Sequence, residues 1–157
     1  MAKRILTSER QTQELAQELI GQHLKSLEEK ALFFALEGDL GAGKTTFTKG
    51  LGNFLKVGRP IRSPGYILVT EYPYTREQFS GKIFHVDLWR VQDLSEALTL
   101  NLKDLLEPGN ILVIEWSQKI PQLIDGLISN PKKVKTIRLH FDQKGENERE
   151  VEIEELS

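Results

Sequence analysis

An α/β fold with a mostly parallel central sheet and an antiparallel C-terminal hairpin is what this chain predicts, on three observations. Residues 31–36 (Ala-Leu-Phe-Phe-Ala-Leu) are a continuous apolar run of the kind shown by a strand buried on both faces. The eight residues 38–45 (Gly-Asp-Leu-Gly-Ala-Gly-Lys-Thr) follow directly and fit the pattern G-x-x-x-x-G-K-[ST] without a gap. Residues 45–55 then carry Phe47, Leu51, Phe54 and Leu55 at helical spacing, so strand, glycine loop and helix stand in the order a phosphate-binding unit requires.

The elements follow in order along the chain. Ser8 and Gln11 have capping-box spacing and open an amphipathic helix whose stripe is Leu15, Ala16, Leu19, Ile20, Leu24 and Leu27. His23 falls near that stripe and reads as structural. After the glycine loop and its helix, Gly58, Pro60 and Ser63-Pro64-Gly65 mark an irregular connection. Residues 66–72 read as a strand, 73–81 as a loop and 82–87 as a second strand. Asp93 and Glu96 form another capping box before a short helix, and Pro108-Gly109-Asn110 makes a turn. Residues 111–114 (Ile-Leu-Val-Ile) are a further buried strand, ending at Glu115-Trp116-Ser117. Residues 136–141 and 149–156 alternate as a hairpin closed by a turn over 142–147, with Glu146, Glu148, Glu150, Glu152 and Glu154 on its wet face.

At 157 residues the chain reads as one domain, residues 1–157, with a core of its own. Its 39% hydrophobic and 28% charged residues are ordinary for a globular protein, and no apolar stretch approaches the ~20 residues of a membrane helix. The opening residues turn polar at Thr7 and Ser8, without the apolar core of a signal peptide. The absence of cysteine excludes disulfides and thiolate metal sites and fits a reducing compartment, so a cytoplasmic location and no membrane contact are expected. A net charge of −2 argues against a broad electrostatic surface for nucleic acid. Lys49, Lys56, Arg59 and Arg62 read as a solvated helix face, with Arg59 or Arg62 the residues nearest to reaching a phosphate or tRNA.

The chemistry of the loop starts from its glycines. Gly38, Gly41 and Gly43 lack a Cβ and let main-chain N–H groups close around a phosphate. Gly41, Ala42, Gly43, Lys44, Thr45 and Thr46 are therefore the nucleotide-binding candidates, with Thr12 near the start of the first helix added to them. Lys44 reaches the terminal phosphates, and the Thr45 hydroxyl joins the shell of a bridging Mg2+. Such a site needs an acid at the C-terminal end of a neighbouring strand. Asp87 closes the run Ile83-Phe84-His85-Val86, and Glu115 closes the next apolar strand, so both are candidates for holding the metal or orienting an attacking water. His85 shares a face with Asp87 and either orients it or is simply buried and hydrogen-bonded. Trp116, by strand alternation, turns away from Glu115 unless the strand has already ended, and is either a core residue or a contact for the site or a partner.

Taken together, Gly-Asp-Leu-Gly-Ala-Gly-Lys-Thr-Thr at 38–46, Ser63-Pro64 with Tyr66 and Glu71-Tyr72, His85-Val86-Asp87-Leu88-Trp89-Arg90, and Ile114-Glu115-Trp116-Ser117 closely resemble the bacterial TsaE (YjeE) family. The resemblance runs from the first helix to Trp116. It implies a P-loop NTPase-like three-layer α/β/α fold and an ATPase, using ATP and Mg2+, that is required for threonylcarbamoylation of the adenosine beside the anticodon in tRNAs reading codons that begin with A. It further implies an accessory subunit of the TsaB–TsaD complex, TsaD being the transferase, with any tRNA contact weak or indirect. By motif position Lys44, Asp87 and Glu115 would be catalytic, Thr45, Asp87 and Glu115 would hold the metal, and Glu115 with Trp116 would form the family's second functional pair. The chain departs from the pattern at Gly65 and Ile67, where family members usually have threonine, near Asn101, where a glycine is usual, and at Trp89, which replaces a tyrosine. Loss of those hydroxyls favours one alternative, a nucleotide-dependent binding module with little turnover. A small-molecule P-loop kinase is the other, although the sequence leaves little room for an acceptor site and lid. No Asn-Lys-x-Asp element points to guanine, and no arginine finger is evident in the sequence.

Overall fold

The computed structural model describes residues 1–39, 41–64 and 68–156. Among them seven strands form a single mixed sheet: β1 (Ala2–Leu6), β2 (Ala31–Gly38), β3 (Val69–Arg76), β4 (Phe79–Asp87), β5 (Ile111–Glu115), β6 (Val134–Gln143) and β7 (Arg149–Glu155), in spatial order β1-β7-β6-β2-β5-β4-β3. The centre is parallel, since β2 pairs with β5 and β6 and β4 pairs with β5. Both flanks are antiparallel: β1 on β7, β7 on β6, and β3 on β4. The sheet is thus half antiparallel rather than mostly parallel, because each edge is finished by a hairpin or a terminal strand.

Helices lie on both faces. α1 (Glu9–His23) and α2 (Lys44–Leu55) cover one, where Leu15, Ile20, Phe47 and Leu51 join Leu32, Phe34, Val113 and Leu139 in one core. α3 (Leu94–Leu98) and α4 (Pro121–Leu127) cover the other, over Phe33, Ala35, Val86 and Ile114. This alternation explains why β2 and β5 read as unbroken apolar runs: successive side chains enter opposite cores. Among the described residues no helix is long and apolar enough to cross a membrane.

The helix starts follow their caps. Ser8 accepts a hydrogen bond from the Gln11 amide at 3.1 Å, while the Gln11 side chain reaches back to the Thr7 amide at 2.7 Å, one residue earlier than in a regular capping box. Asp93 caps α3 through the Glu96 amide at 2.9 Å. His23 at the end of α1 meets Glu155 at 3.1 Å, in keeping with a structural role.

One further expectation needs correction. Residues 73–81 are not a loop, because β3 continues to Arg76 and β4 begins at Phe79 after a two-residue turn at 77–78. Pro73 is tolerated because β3 is an edge strand, where its missing N–H leaves no ladder bond unmade, and Tyr72 and Tyr74 alternate into the core. Residues 66 and 67, expected to open that strand, lie outside the described residues together with Gly65. Ala2–Leu6 and Pro121–Leu127 are regular elements that composition did not announce. β1 is held on its edge partly by charge, with Lys3 near Glu150 and Glu152 and Arg4 paired to Glu18 at 2.6 Å.

Candidate functional site

The glycine loop bends where β2 ends. Gly38 has φ +136°, and a Cβ there would lie 2.5 Å from the Phe141 carbonyl oxygen, so the loop's close approach to β6 requires glycine. Gly43, at φ +111°, is the residue from which α2 springs. Phe47 packs edge-on to Phe34 at 5.6 Å and Phe141 at 6.0 Å, which fixes the first turn of α2 against β2 and β6.

Lys44 is buried, and its ammonium donates to the carbonyls of Gly38 at 2.6 Å and Asp39 at 2.8 Å. It also lies 4.2 Å from the centre of the Trp116 ring. Burial pushes its pKa below the ordinary lysine value, against the pull of Glu115, Asp87 and Asp39. One residue on, the Thr45 hydroxyl donates to the Glu115 carboxylate at 2.9–3.0 Å.

The two acids come from adjacent strands and are direct register partners, Asp87 on β4 and Glu115 on β5. They are not equivalent. Glu115 is buried and receives hydrogen bonds from Thr45 and from His85 Nε2. Asp87 is half-buried and accepts from the Trp89 amide at 2.9 Å. Desolvation raises its pKa and Glu115 adds to the rise, while the Trp89 amide, His85 and Lys44 oppose it. His85 is thus hydrogen-bonded to an acid, but that acid is Glu115 on the neighbouring strand and not Asp87 on its own.

Trp116 resolves its two readings through its backbone. β5 ends at Glu115, and Trp116 takes φ +61°, an unusual value for a bulky residue, which turns its ring back over Lys44. Trp89 stacks on it with ring centres 4.4 Å apart and stays half-exposed, and the Lys119 ammonium bonds the Trp89 carbonyl. Ser117 to the Leu36 carbonyl at 3.1 Å and Gln118 to the Gly38 carbonyl at 3.3 Å fasten this segment to the loop strand.

Lys44, Thr45, Asp87, Glu115 and Trp116 border one cavity of about 370 Å³. Gly41, Gly43, Lys44, Thr45 and Thr46 from the loop and α2 line it together with Asp87, Glu115 and Trp116 from the strand ends, Ser8, Glu9 and Thr12 from the start of α1, and Ser63. Ala42 is the exception among the expected ligands: its side chain is in the core, and its amide is bonded to the Asp39 carbonyl at 3.1 Å. Leu40 lies outside the described residues. Ser8, Glu9 and Ser63, which the sequence does not mark as site candidates, also line the cavity, as do Asn147 and Arg149 from the C-terminal hairpin; Arg149 donates to the Gly41 carbonyl at 3.2 Å. An arginine thus stands beside the loop after all. Lys49, Arg59 and Arg62 border a separate cavity, where Arg59 stacks on Tyr72 at 4.5 Å and bonds the Glu71 carbonyl.

The donor set suits a hard cation held jointly with a phosphate ligand: a hydroxyl and two carboxylates, all oxygen, on one side of a lysine. Among the described residues no group of three His, Cys, Asp or Glu forms a closed metal cage, and a magnesium site of this type draws on substrate oxygens instead. Fold and site together define an α/β protein in which a glycine-rich loop, its lysine and two strand-end acids converge on one cavity.

The comparisons agree in placing it. Residues 6–151 match the family model described as threonylcarbamoyl adenosine biosynthesis protein TsaE, and the chain belongs to that family. It is 40% identical over 141 residues to the tRNA threonylcarbamoyladenosine biosynthesis protein TsaE of Aquifex aeolicus, covering 85% of this chain and 94% of that one. The protein of the same description from Haemophilus influenzae is 41% identical over 97 residues, 61% of this chain and 58% of its own length. Among solved structures the crystal structure of Bacillus subtilis YdiB superposes with a TM-score of 0.56 at 24% identity, over 96% of this chain and 82% of that one, which is a likeness of fold.

Proposed function

We propose that this P-loop NTPase-like domain binds ATP with Mg2+ and hydrolyses it as an accessory subunit in the threonylcarbamoylation of tRNA. It acts with the TsaB–TsaD complex, does not itself transfer the threonylcarbamoyl group, and contacts tRNA weakly or through those subunits. One observation carries the nucleotide reading: Lys44 and Thr45 share a cavity of about 370 Å³ with acids from two neighbouring strands. The tRNA process rests on family membership.

Thr45, Asp87 and Glu115 would hold the magnesium, and the main-chain amides of Gly41 and of residues 43–46, with the Thr12 margin, would take the phosphates. Bound Mg2+ supplies positive charge to the phosphate oxygens on which negative charge develops. Lys44 meanwhile has to exchange two neutral carbonyl acceptors for charged phosphate oxygens, which form the stronger hydrogen bonds. Asp87, the less enclosed of the two acids, is placed to hold the cation or to orient a water beside it. A slow basal rate follows from a lysine already satisfied by its own loop and from Gly65 and Ile67 standing where hydroxyls would sense the γ-phosphate.

Phosphate release from ATP, measured with and without TsaB and TsaD, tests this. The isolated chain is expected to turn over slowly and the partners to accelerate it. Lys44→Ala should lower the rate about a hundredfold, the scale of removing one transition-state donor. An undiminished rate in that variant would remove the catalytic assignment, and phosphate appearing on a metabolite instead of in water would favour a kinase.

A further inference from the structure

Behind the Thr45–Glu115 pair lies a group that no nucleotide contact requires. His85 is fully buried, on the face of β4 that also carries Ile83 and Asp87. Its Nε2 meets the Glu115 carboxylate, while its Nδ1 is buried with no hydrogen-bond partner among the described residues. A histidine retained only to fill core volume would be matched by an apolar residue of similar size without leaving a ring nitrogen unpaired.

The geometry points to His85 as the positioning residue of the metal site: it anchors Glu115 so that Glu115, in turn, orients the Thr45 hydroxyl. This rests on the nucleotide–Mg2+ reading above. The direction of each bond supports it. The carboxylate is the acceptor, so the ring proton facing it belongs on Nε2, which leaves Nδ1 as a bare lone pair rather than a buried N–H without an acceptor. Thr45 donates its only hydroxyl proton to the same carboxylate. With that proton committed, the lone pairs of Thr45 Oγ1 are what the hydroxyl has left to offer a cation. A relay His85 N–H to Glu115 to Thr45 therefore presets the polarity of the metal-binding oxygen before any ligand arrives, as outer-shell partners do in other metal sites. Asp87 lies outside the relay. Its Oδ1 accepts from the Trp89 amide, and the carboxylate can still meet the cation or a water directly.

Without His85 the buried carboxylate would keep Thr45 but lose its second donor, and would be free to rotate away from it. The expected defect is accordingly in metal-dependent nucleotide affinity, with metal-free affinity spared because, among the described residues, His85 is hydrogen-bonded to Glu115 and not to Lys44 or the loop amides. Calorimetric titration of ADP, with Mg2+ and in chelator, into the full chain and into His85→Leu and His85→Gln measures this. Mg2+ should tighten ADP binding by the unaltered chain. In His85→Leu that tightening should shrink about 10- to 100-fold, the range seen when outer-shell partners are removed, with affinity in chelator unchanged within about twofold. His85→Gln, whose amide N–H reaches to about the position of Nε2, should restore most of it. If His85→Leu does not fold, His85→Asn, too short to reach Glu115, takes its place.

An undiminished magnesium effect in the Leu or Asn variant would overturn the assignment. So would equal weakening with and without metal, or a lowered melting temperature as the sole change, both marks of a purely structural histidine. Failure of the unaltered chain to bind ADP under either condition would instead bring down the nucleotide reading on which the inference stands.

Discussion

Asp87 is a residue whose own environment works against its charge. Burial and the neighbouring Glu115 carboxylate raise its pKa, and the Trp89 amide, His85 and Lys44 recover only part of that. A folded-state pKa above the unfolded value means that the folded chain holds the proton more tightly. Stability from this group is then present at acid pH and lost as pH rises through the unfolded and then the folded pKa. At neutral pH the ionised Asp87 is consequently a cost to folding, of the sort tolerated at sites that need a charge. Asp87→Asn keeps an oxygen to accept from Trp89 while removing that charge. The variant should melt about 2 °C higher near pH 7 by thermal unfolding, the scale of a sub-kcal/mol gain in a chain of this length, with the advantage vanishing toward pH 3. Phosphate release from ATP by the same variant should fall about a hundredfold. A lower melting temperature would show that Asp87 is stabilised where it sits.

At the scale of elements, the cavity is assembled from pieces on both sides of the loop strand, and the C-terminal hairpin is the one with the least warning. Arg149 at the start of β7 lies 3.2 Å from the Gly41 carbonyl, so a strand separated from β2 by β6 supplies a guanidinium at the phosphate loop. On the nucleotide reading Arg149→Ala should weaken both ADP and ATP binding about tenfold, the worth of one charged hydrogen bond. The loss should deepen at low salt, where the parent gains most from the added charge. Equal affinities for parent and variant in calorimetry would confine Arg149 to tying the hairpin down.

Arg149 is not legible in the sequence while Lys44 is, and the difference is one of range. The strand, glycine loop and helix around Lys44 are contiguous, and their order alone states which backbone amides and which ammonium share a place. Asp87 and Glu115 were equally legible, since an acid closing an apolar strand has one end of the sheet to occupy. Arg149 depends on how far a hairpin leans, which no local pattern encodes. Trp116 turned on a single dihedral, φ +61°, at the point where β5 stops. His85 was legible as buried and polar, but its partner lies on the next strand and appears only once β4 and β5 are in register. Elsewhere, Pro73 read as a loop signal because nothing in the sequence marks β3 as an edge strand. Ile120, Leu123, Ile124 and Leu127 had the spacing of α4, and Pro121 the fitting first position, in a segment too short to stand out.

For the whole molecule, the sheet separates two cores that serve different ends. The α1/α2 side contains Phe34, Phe47 and Phe141, and so carries the phosphate loop on its packing; the α3/α4 side contains Ile124 and Leu127 and meets the site through the strand ends and Trp116. Comparable cavities cut into the two cores should therefore have unlike consequences. Phe47→Ala removes the ring wedged between Phe34 and Phe141, and should cost about 3–5 kcal/mol, a large part of the roughly 5–15 kcal/mol available to a domain. Ile124→Ala, on the opposite face, should cost about 2–4 kcal/mol. Thermal unfolding will register both. Calorimetry at a temperature where each variant is still folded separates them: nucleotide affinity should weaken in Phe47→Ala, because the first turn of α2 and Gly43 lose their backing, and stay near the parent value in Ile124→Ala. Equal affinities in the two variants would mean that the loop holds its shape through its own turn and the bonds from Gln118 and Arg149, with no help from the core beneath it.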